Sequence, residues 1–183
     1  MLAYVFWHVP RPGIAARDYE SAHAQFHEQL WRSSPAGLTG VRVFRLPSIP
    51  WLDGQTGYED WHLLESSAGL DPLNEAAISG DCKLPHDRVA AMAAEGTAGL
   101  YGVRAGKLLD PAVAHWLSKP EGMSYAEFDA SLNQLVDVGC CLWSRRMTFG
   151  PAPEFCLQAP AVARLPYAST EILLGLKLSH GPR

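Results

Sequence analysis

The chain has 183 residues, 48% of them apolar and 19% charged, with 15 basic side chains against 19 acidic ones and a formal net charge of −4. Usage of this kind excludes wholesale disorder and fibrous repeats, and the length allows one substantial core or two smaller halves. With no basic cluster beyond the Arg145-Arg146 pair, there is no electrostatic footprint for a phosphate backbone, and nucleic acid is excluded as a partner.

The apolar opening from Leu2 to Val9 is too short to span a bilayer and lacks the flanks of a signal peptide, so no membrane partner is expected. It reads as a first strand, closed by the turn Pro10-Arg11-Pro12-Gly13. Cys82, Cys140, Cys141 and Cys156 have neither metal-site spacing nor the density of a disulfide scaffold and are expected as reduced, buried thiols. A cytoplasmic location follows.

A helix is predicted after the turn, capped by Asp18, with Tyr19, Ala22, Phe26 and Leu30 as its buried stripe and Ser33-Ser34-Pro35 as its stop. Val41 to Leu46 is the second strand, Pro47 to Gly57 a loop, and Tyr58 to Glu65 the third strand. Asp71-Pro72 opens a short helix ended by Gly80. Leu84 to Glu95, alanine-rich and followed by Gly96, is read as a further helix, and Leu100 to Arg104 as the fourth strand. A βαββαβ unit is then complete over 1–106.

Beyond a connector at 107–111 the order begins again over 112–180, with Val113 to Leu117 as a strand and Ser124-Tyr125-Ala126-Glu127 as a capping box. Sliding the first helix onto this one places Asp18 on Ser124, Tyr19 on Tyr125, Ala22 on Phe128, Phe26 on Leu132 and Leu30 on Val136. The pattern reads as an internal repeat. Cys140 to Met147, Glu154 to Leu157 and Ile172 to Leu178 supply three more strands. Only Ala159 to Ser169, with two prolines, remains for a second helix, so the second half is abridged. The fold class expected is therefore α+β, two ferredoxin-like halves in tandem. Strands apolar on both sides, such as Tyr4-Val5-Phe6-Trp7, suggest that two sheets enclose an α/β barrel.

The stretch Lys119-Pro120-Glu121-Gly122-Met123-Ser124-Tyr125-Ala126-Glu127-Phe128 resembles the EthD-like members of the dimeric α/β-barrel superfamily, with Glu121 inserted between the proline and glycine of their turn. The first half carries a looser version in His8 to Leu30. The resemblance implies a small-molecule cavity and allows a homodimer, but the superfamily spans monooxygenases, isomerases, cyclases, haem enzymes and proteins without known activity.

Tyr58, Asp60 and His62 alternate along the third strand and should share one face, opposite Glu59, Trp61 and Leu63. Projecting into a cavity, they could orient a phenol or carbonyl and relay a proton; the plainer alternative is a solvated edge. His8 ends the first strand, and His23 and His27 lie one helical turn apart, so His8 and His27 could join in proton transfer. The two helix histidines lack the acid of a zinc-protease motif, so no metal and no cofactor is expected, and haem is a minor option. Trp7, Trp61, His86, His115 and Trp116 are candidate ligand-contact residues, with capping an alternative role for His86. Arg42, Arg45, Arg145 and Arg146 are expected to solubilise exposed edges rather than clamp a carboxylate. No nucleotide loop or serine-hydrolase elbow is present.

The function expected is binding of a small apolar or aromatic ligand. Turnover would make the protein a cofactor-free isomerase, cyclase or monooxygenase; the alternative is a non-catalytic ligand-binding or stress-related module.

Overall fold

The computed structural model describes residues 1–181. The chain is α+β, and its described residues divide into two compact units, 1–98 with 176–181, and 99–175. Among the described residues no helix is long and apolar enough to cross a membrane.

In the first unit, β1 (Leu2–Pro10), α1 (Ala16–Ser33), β2 (Leu38–Ile49), β3 (Gln55–Leu64), α2 (Leu70–Ile78) and α3 (Lys83–Met92) precede β4 (Ala93–Ala105), and β9 (Gly175–His180) returns at the end of the chain. The strand order is β4-β1-β3-β2-β9. β3 is antiparallel to both neighbours, pairing Phe6 with Asp60 on one side and Val43 with Asp60 on the other. Its Tyr58 and Leu64 join Tyr19, Phe26 and Leu30 of α1, Leu73 of α2 and Val89 of α3 in one buried cluster, so this face of the sheet is covered by helices. The opposite face carries Trp7, Glu59 and Trp61; both indoles donate to the Glu59 carboxylate, Trp7 at 2.7 Å.

α1 begins earlier than its sequence suggests. Ala15 occupies the N-cap without a side-chain bond, and Asp18 lies in the first turn, where its charge suits the helix dipole. The expected capping parallel with Ser124 therefore does not hold. The end of α3 also moves: Ala93, Ala94 and Glu95, read as helix, begin β4. Gly96 explains why, since a Cβ there would sit 2.6 Å from the Phe6 ring and 2.8 Å from the Trp7 carbonyl oxygen. Close pairing with β1 overrides alanine's helical preference.

In the second unit β5 (Val113–Leu117), α4 (Tyr125–Asp137), β6 (Cys141–Arg145), β7 (Phe155–Ala159) and β8 (Thr170–Leu173) follow the second part of β4. The strand order is β8-β5-β7-β6-β4. The capping box forms as read: the Ser124 hydroxyl accepts from the Glu127 backbone while the Glu127 carboxylate accepts from the Ser124 N–H. Phe128 and Leu132 are buried, whereas Tyr125, expected on the same stripe, is half exposed. No helix forms between Ala159 and Ser169; an irregular segment instead lays Tyr167 against the Phe128 ring. All four cysteines are buried thiols outside any disulfide. Of the strand arginines, Arg42 is 2% exposed rather than an edge solubiliser, while Arg45 reaches Glu20 at 3.8 Å.

Candidate functional site

The i to i+4 spacing of α1 puts Tyr19, His23 and His27 in one row beside the Ala22, Phe26 and Leu30 row, and all six are buried. The histidine row faces the polar side of β3. Pleating aims Tyr58, Asp60 and His62 at it, and the register that pairs Phe6 with Asp60 and His8 with Tyr58 makes His8 and Asp60 diagonal neighbours.

Asp60 is the hub. Its Oδ2 lies 3.0 Å from His8 Nε2, 2.8 Å from His23 Nε2 and 3.5 Å from His27 Nε2. Outer contacts hold two of these rings: the Tyr19 hydroxyl is 2.6 Å from His8 Nδ1, and His27 Nδ1 donates to the His23 carbonyl oxygen at 3.0 Å. Asp60 Oδ1, His27 Nε2 and His62 Nδ1 are buried with no hydrogen-bond partner.

Burial alone would push the Asp60 carboxyl up, but the imidazoles of His23, His8 and His27 outweigh it and hold the group well below the usual carboxylate range. His27 moves down, chiefly by burial with His23 and His62 adding to it, against the pull of Asp60. Burial lowers His62 too, and with Asp60 nearby it raises the hydroxyls of Tyr19 and Tyr4. The result is a buried carboxylate among imidazoles and protonated phenols.

Most of the cluster borders a cavity of about 780 Å³. His8, His23, Asp60 and His62 are among its polar lining residues, and Phe6, Phe26, Leu73 and Val89 among its apolar ones. A ring-sized compound fits such a volume, and a few convergent polar groups in an apolar setting are what orient one.

The structure thus brings together His8, His27, Asp60 and His62, and adds His23 and Tyr19, which sequence reading left as a helix flank and a core position. Tyr58 shares their face but lies behind them, its hydroxyl donating to Glu20 at 3.1 Å; burial and that bond push it up to about 12. His86 also lines the cavity. Trp7 and Trp61 sit on the other face of the sheet at Glu59. His115 and Trp116 belong to β5 in the second unit, where the His115 ring is 3.9 Å from Glu171. The signal that could have revealed the missed residues is the match between a helical row of Tyr19, His23 and His27 and a strand face alternating Tyr58, Asp60 and His62: two polar stripes at opposite periods that can satisfy each other only by meeting.

These features define an α+β protein whose first unit carries a buried histidine–aspartate cluster bordering a cavity. The fold is similar to the solved structure of a protein from Fusobacterium nucleatum subsp. nucleatum provisionally named a monooxygenase, with a TM-score of 0.67 over 98% of this chain and 94% of that one. Identity between the two is 12%, so the likeness is one of fold. No protein-family model matches the chain, and no curated protein matches it in sequence.

Proposed function

We propose that the first unit binds a small aromatic or carbonyl compound in its cavity and turns it over by proton transfer, as an isomerase, a cyclase or a cofactor-free monooxygenase. The observation that carries this reading is a pair of buried, unpartnered polar atoms, Asp60 Oδ1 and His62 Nδ1, on two residues that line the same cavity. Buried polar groups are nearly always hydrogen-bonded, so two left without partners on cavity-lining residues support a ligand whose polar atoms meet them. His62 is the proton acceptor for a hydroxyl or an acidic C–H: burial lowers it, which favours the neutral ring that can take up a proton. Tyr19, His8 and Asp60 form a chain of contacts along which a second proton can be supplied or withdrawn. The aromatic and aliphatic walls hold the ring of the compound.

Two features support placing the chain in a tandem, EthD-like branch of the dimeric α/β-barrel superfamily. Each unit repeats one strand order, β4-β1-β3-β2 in the first and β8-β5-β7-β6 in the second, as two ferredoxin-like halves would, the second without its last helix. The cavity lies between sheet and helices of one half. A cytoplasmic protein, free to pair through a sheet edge as a homodimer, completes the reading.

Native mass spectrometry of the purified protein against its denatured mass tests for a retained compound, followed by a thermal-shift screen of aromatic and carbonyl compounds. Hits should be lost in Ala77→Trp, which fills the cavity away from the cluster. His62→Ala should keep binding within a few-fold while turnover of a hit falls about 10²- to 10⁴-fold. Hits that bind Ala77→Trp unchanged would place the ligand elsewhere, and turnover unaffected by His62→Ala would remove the proton-transfer role.

A further inference from the structure

Tyr4, Tyr19 and Tyr58 stand around the cluster, and two of their hydroxyls are committed, Tyr19 to His8 at 2.6 Å and Tyr58 to Glu20 at 3.1 Å. Tyr4 is different. It lines the cavity and is half-buried. Its hydroxyl makes no hydrogen bond to another of the described residues, yet the oxygen is not sealed off as Asp60 Oδ1 and His62 Nδ1 are. The register of β1 on β3 sets Tyr4 directly opposite His62, and residues paired in this way hold their Cβ atoms about 5 Å apart on one face. The two rings lie 5.8 Å apart, centre to centre, tilted by 40°. Burial, with the charge of Asp60 adding to it, raises the phenol, so it keeps its proton near neutral pH. In sequence Tyr4 belongs to a run apolar on both sides, and only its pairing with His62 singles it out.

An uncommitted O–H beside a base in a largely apolar cavity is the arrangement that enolisation requires. A carbonyl oxygen and the hydrogen on its α carbon lie close together, so the donor that meets the one must neighbour the base that takes the other. We infer that Tyr4 is a catalytic hydrogen-bond donor paired with His62, and that the compound turned over is an enolisable aryl ketone or β-diketone. His62 takes the α proton. The electrons of the broken C–H bond form the C=C bond of an enolate, and the carbonyl π electrons move onto the oxygen, which accepts from the Tyr4 O–H. The imidazolium then returns the proton to the same carbon or to another along the conjugated system, with no change of oxidation state. Such a reaction is an isomerisation. The inference rests on reading His62 as the base of the cavity, and adds the donor that works with it and the class of substrate.

Benzoylacetone and acetophenone are the probes, with exchange of their α hydrogens in heavy water followed by proton NMR. The full chain should accelerate exchange above the buffer rate and saturate. Tyr4→Phe should lower the saturated rate about 10²- to 10³-fold with the half-saturating concentration changed only a few-fold. Its denaturation midpoint should stay at the wild-type value, because the hydroxyl holds nothing within the protein; a merely structural Tyr4 would move the midpoint and spare the rate. His86→Ala, on the cavity wall outside the pair, should exchange like wild type. Exchange at the buffer rate with wild type overturns the inference, as does a Tyr4→Phe protein that exchanges as fast as wild type. Loss of exchange in His62→Ala with none in Tyr4→Phe sinks this inference alone, whereas exchange unmoved by either variant sinks the proton-transfer reading with it.

Discussion

Replacing the buried His115 with Phe should leave the fold at least as stable near neutral pH and progressively more stable than the wild type in acid. The ring is buried in the second unit with neither nitrogen hydrogen-bonded, and burial lowers its ionisation against the pull of Glu171. A base whose folded value is depressed takes up its proton more readily when unfolded. Its contribution is therefore present above the unfolded value, about 6.5, and is lost as pH falls below it, at up to about 1.4 kcal/mol per pH unit. Urea midpoints at about pH 7.5 and pH 5.5 measure this; a gap between His115→Phe and wild type that stays constant would show that His115 does not couple to folding. Glu59 makes the opposite case, a polar group fully used. Trp7 and Trp61 both donate to its carboxylate, which burial raises to about 7 against those two bonds. Glu59→Gln keeps one acceptor oxygen and turns an amide N–H₂ toward the other indole, so it should destabilise by roughly 1–3 kcal/mol with a change in tryptophan fluorescence, read by denaturant titration.

At the scale of elements, α4 tests how closely local pattern controls packing. Its capping box fixes where the helix starts, and the start fixes which side chains turn inward. Phe128 is fully buried, 4.5 Å from the Phe155 ring centre, so Phe128→Ala should cost about 3–5 kcal/mol on denaturant titration. A cost near zero would mean the helix face is set by something other than its cap. β5, with the same bounds in sequence and structure, and α4 were legible because cap, turn and periodicity agreed there. The start of β4 was not, since the space that admits only Gly96 beside Phe6 belongs to β1, a distant segment. The candidate site was half legible. Strand alternation placed Asp60 and His62 on one face, but whether that face met water or a helix depended on α1 burying two rows of side chains. A single apolar stripe of Tyr19, Ala22, Phe26 and Leu30 concealed the second row, because imidazoles count as polar until a carboxylate is there to receive them.

The chain's last strand does not stay with the unit that precedes it. β8 belongs to the second unit, yet residues 176–181 belong to the first, where β9 lies beside β2 as the final strand of that unit's order. Gly40 and Gly181 show how close this pairing is: a Cβ on Gly40 would stand 2.9 Å from the His180 carbonyl oxygen, and one on Gly181 would meet the Thr39 carbonyl. The His180 ring stacks on Trp31 of α1 at 5.5 Å. β9 is itself largely exposed and adds little buried apolar surface, so its main effect is to satisfy the backbone of β2, a strand running from Leu38 to Ile49. A chain ending at Leu174 would leave that edge unpaired, and a long unpaired edge is a template for another chain. The shortened protein should unfold at lower denaturant and self-associate beyond the full chain as concentration rises, seen by light scattering. Lys or Pro placed on the exposed edge of β2 should suppress the association without restoring the midpoint, separating edge pairing from lost stability. If the shortened chain keeps both the midpoint and the association state of the full one, β9 is an appendage and β2 is protected by its own side chains.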